Sequence, residues 1–143
     1  MYQFYVLAVV FNILGGLTLA FDFLSEKIGL DYVLNDEGFT DDTIRLVIGV
    51  TTLAVGLVKL FVVTGDNWII LGDFVPALTA MVTGFTLLLE RFRDALGEKV
   101  KSDRGVLALS RLDRVFIKPR NVYGIVSVVA GLAHLFLHSF QLL

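Results

Sequence analysis

The chain has 143 residues, of which 56% are hydrophobic, and its mean hydropathy is +0.78. A soluble chain of this size could not bury so much apolar surface, whereas a lipid bilayer accommodates it, so the composition predicts a membrane protein. The net charge is −2, the 12 basic residues flank apolar runs, and cysteine is absent, which argues against nucleic-acid binding and excludes disulfide and thiolate–metal chemistry.

Four apolar runs follow one another along the chain, at residues 4–24, 44–63, 68–89 and 122–142. Each approaches or exceeds the roughly 20 residues that a helix needs to cross a bilayer. Continuous apolarity over this length favours helices over buried strands. The sequence therefore predicts an all-α membrane protein with four transmembrane helices in a single domain, residues 1–143.

The connections between these runs differ in charge. Residues 25–43 are acidic, residues 64–67 form a tight turn with Gly65, and residues 90–121 are long and basic. Within the last connection, residues 94–118 include an amphipathic segment with apolar residues at helical spacing from Val106 onward. This segment is either a helix on the membrane surface or a soluble helix packed under the bundle.

The basic residues predict the orientation. With four spans, every lysine and arginine except Lys59 lies on one side, and that side is expected to be cytoplasmic. Both termini are then extracytoplasmic, and both long loops are cytoplasmic. Membrane lipids, with anionic headgroups on the cytoplasmic side, are the expected partners.

An internal repeat accompanies this arrangement. Residues 45–61 align with residues 120–136 without a gap, and residues 16–22 resemble residues 84–90. The pattern predicts two tandem helical hairpins, residues 1–64 and 68–143. Because both hairpins enter from the same side, the pseudo-two-fold axis should run along the membrane normal, as in parallel-repeat transporters.

Four charged residues mark the inner ends of the predicted spans. Asp22 ends the first span and Arg45 opens the second, while Glu90 ends the third and Arg120 opens the fourth. An acid at a helix C-terminus and a base at an N-terminus are both unfavourable, and pairing them offsets both penalties. Structural ion pairs within each hairpin are therefore expected, with a binding site as the alternative.

Polar residues within the spans are few and fall in the outer half. They are Asn12, Lys59, Asp73, His134 and His138. Ionisable groups inside a membrane are costly and suggest a function. They predict an outward-facing polar pocket, with Lys59 paired to Asp73 and His134 nearby. In the alternative interpretation, Lys59 and His138 extend to the outer headgroups and His134 bonds a neighbouring helix.

His134 and His138 lie one helical turn apart and could present two metal ligands or an axial haem ligand. Because no third ligand lies near them in the sequence, no metal or cofactor is predicted, and haem or metal remains the weaker alternative. No nucleophile–base arrangement or phosphate-binding glycine loop is recognisable, which favours a non-enzymatic role.

The segment 45–61 resembles the first helix of DoxX-like small membrane proteins, through R-x-x-x-G from Arg45 to Gly49 and G-L-x-K-L-F from Gly56 to Phe61. The resemblance covers a small part of the chain. The third apolar run lacks the intramembrane glutamate that would accompany it. The resemblance therefore implies a small membrane protein and assigns no family.

The leading functional hypothesis is a small transport, channel or ligand-binding bundle with an outward-facing polar pocket. The second is an accessory or assembly subunit of a larger membrane complex, because the charged cytoplasmic loop is large relative to the sparse polar chemistry within the spans. A redox or metal-binding module at His134 and His138 is the third. A bundle of four spans is thin, so a homo-oligomer is also plausible.

Overall fold

The computed structural model describes residues 2–29, 32, 34, 36–61 and 74–141. This part of the chain is helical and contains no strand. The elements in chain order are α1 (Tyr2–Ile28), α2 (Asp36–Thr40), α3 (Asp42–Phe61), α4 (Val75–Lys99), α5 (Asp103–Leu112), a π-helical segment (Asp113–Ile117) and α6 (Arg120–Gln141).

Several helices have the length and apolarity of membrane spans. In the described part, α1, α3 and α4 each meet both requirements. The segments Asp103–Ile117 and Arg120–Phe136 meet them together, as a pair bent by 44°, which gives up to four candidate spans. An all-helical chain with three to four such helices is compatible with the membrane protein that the composition predicts.

The helix boundaries depart from the prediction at α4. The predicted third span, residues 68–89, is described only from residue 74, and residues 68–73 lie outside the described part. At the other end, α4 continues beyond residue 89 to Lys99. The predicted connection over residues 90–121 therefore begins as a continuation of α4. The residues of this extension, mainly Arg, Ala, Leu, Glu and Lys, are strong helix formers. They continue the helix although a segment with this many charged residues is also typical of a loop.

The amphipathic segment lies against this extension of α4. Ser102 caps α5, since its hydroxyl accepts a hydrogen bond from the Gly105 amide at 3.1 Å. The Arg93 guanidinium donates two hydrogen bonds of 2.8 Å to the two carboxylate oxygens of Asp113. Together α4 and α5 form a charged helical hairpin, in which Val106 stays more than half exposed.

The four long helices pack as two close pairs. α1 packs most extensively against α6, and α3 packs equally extensively against α4. Glycines permit the close approach: a Cβ on Gly16 would lie 2.5 Å from the carbonyl oxygen of Gly124, and one on Gly84 would lie 2.8 Å from that of Gly49. Small residues have this role at helix contacts in membranes, where backbones meet directly.

A short helix closes the end of the bundle that carries Asp22 and Arg45, called the inner end after the predicted orientation. The ring of Phe39 in α2 stacks on Phe21 with centroids 5.1 Å apart. Asp41 then caps α3 by accepting hydrogen bonds from the backbone amides of Thr43 and Ile44. These amide hydrogen bonds lower the pKa of the Asp41 carboxyl, because they stabilise its charged form.

Candidate functional site

The outer end of the bundle brings together Tyr5 of α1, Lys59 of α3 and His134 of α6, the outer cluster. Lys59 Nζ lies 2.9 Å from His134 Nε2 and 5.2 Å from the centroid of the Tyr5 ring. The Tyr5 and His134 rings are 4.5 Å apart, and the Tyr5 hydroxyl donates to the backbone carbonyl of His134. Three helices thus meet at one ammonium group.

Lys59 is a buried cation in this cluster, with only 4% of its surface exposed. A charged lysine can only donate a hydrogen bond, so its contact with His134 requires that Nε2 accept and that the imidazole be neutral. Two positive charges at 2.9 Å would repel each other strongly in an apolar interior.

The structure leaves part of the predicted outer pocket undescribed. Asp73, the predicted partner of Lys59, lies outside the described residues, and so does the side chain of His138. The proposed pair of histidine ligands therefore stays a prediction. Among the residues that are described, no group of three His, Asp or Glu side chains could hold a metal ion.

Asn12 lies at the centre of a buried hydrogen-bond network. Its side chain is fully buried and donates to the carbonyl oxygens of Ala8 at 2.9 Å and Pro76 at 3.0 Å. Its amide oxygen accepts from Thr79 at 2.9 Å and from Ser127 at 3.0 Å. One carboxamide thereby links α1 to α4 and to α6.

The partners of these residues are not evident from the sequence. Thr79 and Ser127 do not stand out as hydrogen-bond partners in the sequence, because hydroxyls in membrane helices usually bond their own backbone. Thr18 does so, donating to the carbonyl oxygen of Leu14 at 2.7 Å. Tyr5 does not stand out in the sequence either, since a tyrosine near the end of a span is typical of the membrane interface. Ser127 has one usable signal, since it aligns with Thr52, which is also buried, when residues 120–136 are matched to residues 45–61.

The inner end carries the other charged group, the inner charge cluster of Asp22, Arg45, Glu90 and Arg120. Glu90 bonds Arg45 at 2.8 Å through one carboxylate oxygen and Arg120 through the other. Arg120 also bonds Asp22 at 2.9 Å. The pairing differs from the expected one in the first hairpin, where Asp22 contacts Arg120 instead of Arg45.

A cleft of about 290 Å³ opens at this end, the inner cleft. Arg45 is held in its wall by weaker hydrogen bonds of 3.4 Å to the carbonyl oxygens of Thr18 and Phe39. The cleft is therefore bordered by charged groups whose positions are fixed by several helices. Its lining consists of Asp22, Thr40, Asp42, Arg45, Leu87, Glu90, Arg91 and Arg120.

Comparison with known proteins adds one finding. A protein-family model matches residues 1–134, which is nearly the whole chain. The chain belongs to this family. The family has no known function, and no curated protein or solved structure matches the chain. The residues of the outer cluster, including His134, all fall within the matched range. Because the family has no known function, a role for these residues has to be argued from their geometry.

Proposed function

We propose that this chain is a four-span membrane protein made of two tandem hairpins, related by a pseudo-two-fold axis along the membrane normal. Under this proposal both termini are extracytoplasmic, and the inner charge cluster and the α4–α5 hairpin face the cytoplasm. The one-sided distribution of lysine and arginine supports the orientation.

Equivalent contacts support the repeat. In the sequence alignment of the two hairpins, Arg45 corresponds to Arg120 and Glu90 to Asp22. The ion pairs Arg45–Glu90, at 2.8 Å, and Arg120–Asp22, at 2.9 Å, are therefore equivalents of each other. A chance match in sequence would not be expected to reproduce a matched pair of contacts.

The glycine contacts follow the same correspondence. Gly16 aligns with Gly84 and Gly124 with Gly49, and the Gly16–Gly124 approach between α1 and α6 is the equivalent of the Gly84–Gly49 approach between α4 and α3. The repeat therefore relates the α1–α6 pair to the α4–α3 pair.

The function that this arrangement supports best is binding or transport of a small polar or anionic solute at the outer cluster. The observation that supports this proposal most directly is the burial of the Lys59 ammonium against His134, with 2.9 Å between Lys59 Nζ and His134 Nε2. A cation inside membrane helices is costly, by at least about 2.5 kcal/mol on insertion scales, and such residues usually mark a solute or ion pathway. Lys59 would attract the solute, and the His134 imidazole would lie beside it as a second polar group.

The test compares two lysine variants in protein reconstituted into liposomes. Lys59→Met should abolish uptake of the solutes that wild type takes up from a panel of small carboxylates, phosphates and amino acids, because it removes the buried cation. Lys101→Met changes an exposed lysine beyond the bundle and should leave uptake unchanged. Equal uptake by wild type and Lys59→Met, with both folded, would show that Lys59 only extends to the outer headgroups.

The alternative function, an accessory subunit of a membrane complex, has its own supporting observation. The α4–α5 hairpin exposes Val106 and Leu107 by 55% and 54%, next to the exposed Arg104 and Arg111. Such a surface could contact a partner subunit. Purification from native membranes in mild detergent, without crosslinking, would favour this alternative if a stoichiometric partner remained bound and if Leu107→Glu released it.

A further inference from the structure

The inner cleft has a lining and a size that suggest a ligand. Its volume of about 290 Å³ lies at the lower end of the range for small-molecule pockets, so a ligand would have few atoms. It lies where α1, α3, α4 and α6 meet, at the opposite end of the bundle from Lys59. Whatever binds here is therefore separate from the solute proposed for the outer cluster.

The charges around the inner cleft are unequal in depth. The deepest charged side chains are Arg45, Glu90 and Arg120, whose exposed fractions are 15%, 25% and 27%, whereas Asp22 is 58% exposed. Asp42 and Arg91, which also line the cleft, are both exposed, and their charges cancel. The deep part of the cleft thus holds two guanidinium groups and one carboxylate, an excess of one positive charge that the more exposed Asp22, which also bonds Arg120, offsets from the rim.

The direction of the helices adds to this excess. Helices α3 and α6 begin at this end, at Asp42 and Arg120, whereas α4 continues past it to Lys99. The amino-terminal ends of helices carry a partial positive charge, which favours anions. A carboxylate already lies between the two arginines, because Glu90 bonds both of them. The Glu90 carboxylate therefore already occupies the position that a bound anion would take in the cleft.

We propose that the inner cleft binds a small oxyanion of the phosphate or carboxylate class, which competes with Glu90 for the guanidinium groups of Arg45 and Arg120. The planar guanidinium presents paired N–H donors that match such oxyanions in bidentate geometry. The oxyanion comes either from the aqueous phase or from the headgroup of a lipid, since both sources reach this end of the bundle under the proposed orientation.

The test measures binding of inorganic phosphate to the detergent-purified full chain by calorimetry, at constant ionic strength. Arg45→Gln and Arg120→Gln should each weaken binding by about tenfold or more, because each removes a charge-assisted contact. Glu90→Gln should tighten binding by about tenfold, because it removes the competing carboxylate. Arg93→Gln is the matched control, since Arg93 bonds Asp113 outside the cleft, and it should bind as wild type does.

Other results would overturn the proposal. They are the absence of phosphate binding to wild type, weaker binding by a folded Glu90→Gln variant, or an equal loss in Arg93→Gln and Arg120→Gln. If Arg120→Gln does not fold, Arg120→Lys, which keeps the charge and loses the paired donors, should fold and bind less tightly than wild type. The same comparison of the arginine and Glu90 variants in a Lys59→Met background, which removes the cation of the outer cluster, should give the same fold-changes, so failure of this site and failure of the proposed outer function are distinguishable.

Nanodiscs distinguish the two sources of the oxyanion. If a lipid headgroup is the ligand, phosphatidic acid in a phosphatidylcholine nanodisc should weaken phosphate binding to wild type, and replacing it with phosphatidylcholine alone should restore it. If the ligand is a free anion, the lipid should make no difference. Both outcomes support the site, provided that the arginine variants lose binding in the same nanodiscs.

Discussion

Single residues fix how the helices of this protein are held together, and Asn12 is the clearest case. Its carboxamide is fully buried and bonds α4 through Pro76 and Thr79 and α6 through Ser127. Every donor and acceptor of the side chain is used. A buried amide in this state specifies one arrangement of helices, because any slippage would leave its partners unsatisfied.

Replacing Asn12 with alanine should therefore lower the free energy of unfolding by about 1–3 kcal/mol, since the side-chain hydrogen bonds that join α1 to α4 and α6 would be lost. Denaturant titration in detergent micelles, followed by circular dichroism, measures the change. Asn121→Ala is the control, because the buried Oδ1 of Asn121 accepts no hydrogen bond from any described residue and its loss should cost less. Equal losses for the two variants would contradict a special role for Asn12.

One methylene group determines the connectivity of the inner charge cluster. Glu90 reaches both Arg45 and Arg120, whereas Asp22, its counterpart in the repeat alignment, reaches Arg120 alone. The longer side chain can direct its two oxygens to two helices at once. The pair of Asp22 with Arg45 that the sequence suggests within the first hairpin therefore does not form. Arg45 pairs instead with Glu90 of the second hairpin.

At the level of helices, close backbone contact decides stability more than side-chain size does. A Cβ on Gly84 would lie 2.5 Å from the backbone nitrogen of Leu53, which is closer than atoms of packed helices can approach. The three nearest atoms, Leu53 N, Gly49 O and Leu53 Cα, all belong to the backbone, so no side chain can move aside to make room. The α3–α4 pair depends on this one missing side chain.

Gly84→Ala should accordingly destabilise the protein by about 1–3 kcal/mol through overpacking. Gly97 of the same helix gives the opposite expectation, because a Cβ there would meet its nearest neighbour, Leu109 Cδ2, at 3.9 Å. Gly97→Ala should be neutral or stabilise by up to about 1 kcal/mol, as alanine favours the helix. Thermal unfolding of both variants in one detergent compares them, and a harmless Gly84→Ala would refute the close contact.

For the whole molecule, two helix pairs meet through polar contacts at three levels. Glu90 joins Arg120 at the inner end, Asn12 joins Thr79 in the middle, and Lys59 joins His134 at the outer end. Within each pair, glycines bring the two backbones together, and polar contacts such as Arg45–Glu90 and Asn12–Ser127 add to them. Polar contacts between the pairs can exchange for a solute or for water, which is consistent with the proposed binding or transport function.

The proposed orientation makes a direct prediction for the intact molecule. Single cysteines introduced by Ser102→Cys and Asn67→Cys should react with a membrane-impermeant reagent from opposite sides of the membrane. The chain has no native cysteine, so each label reports one position. Labelling of both from the same side would exclude the four-span topology with both termini outside.

The sequence by itself determined the helical class and the positions of most helices, because long apolar runs have few alternatives to a helix in lipid. It also singled out the charged and polar residues, since these are rare in such runs. It could not determine the extent of α4, because charged helix formers at residues 90–99 are typical of helices and of loops alike.

Only the tertiary structure decided which of these residues meet. The pairing of α1 with α6 and of α3 with α4 depends on how glycine surfaces fit together, and the spacing of residues along one helix does not encode that fit. The hydrogen bonds of Asn12 and the bridging position of Glu90 join residues far apart in the chain. Their geometry depends on the relative height and rotation of separate helices, which are set by packing.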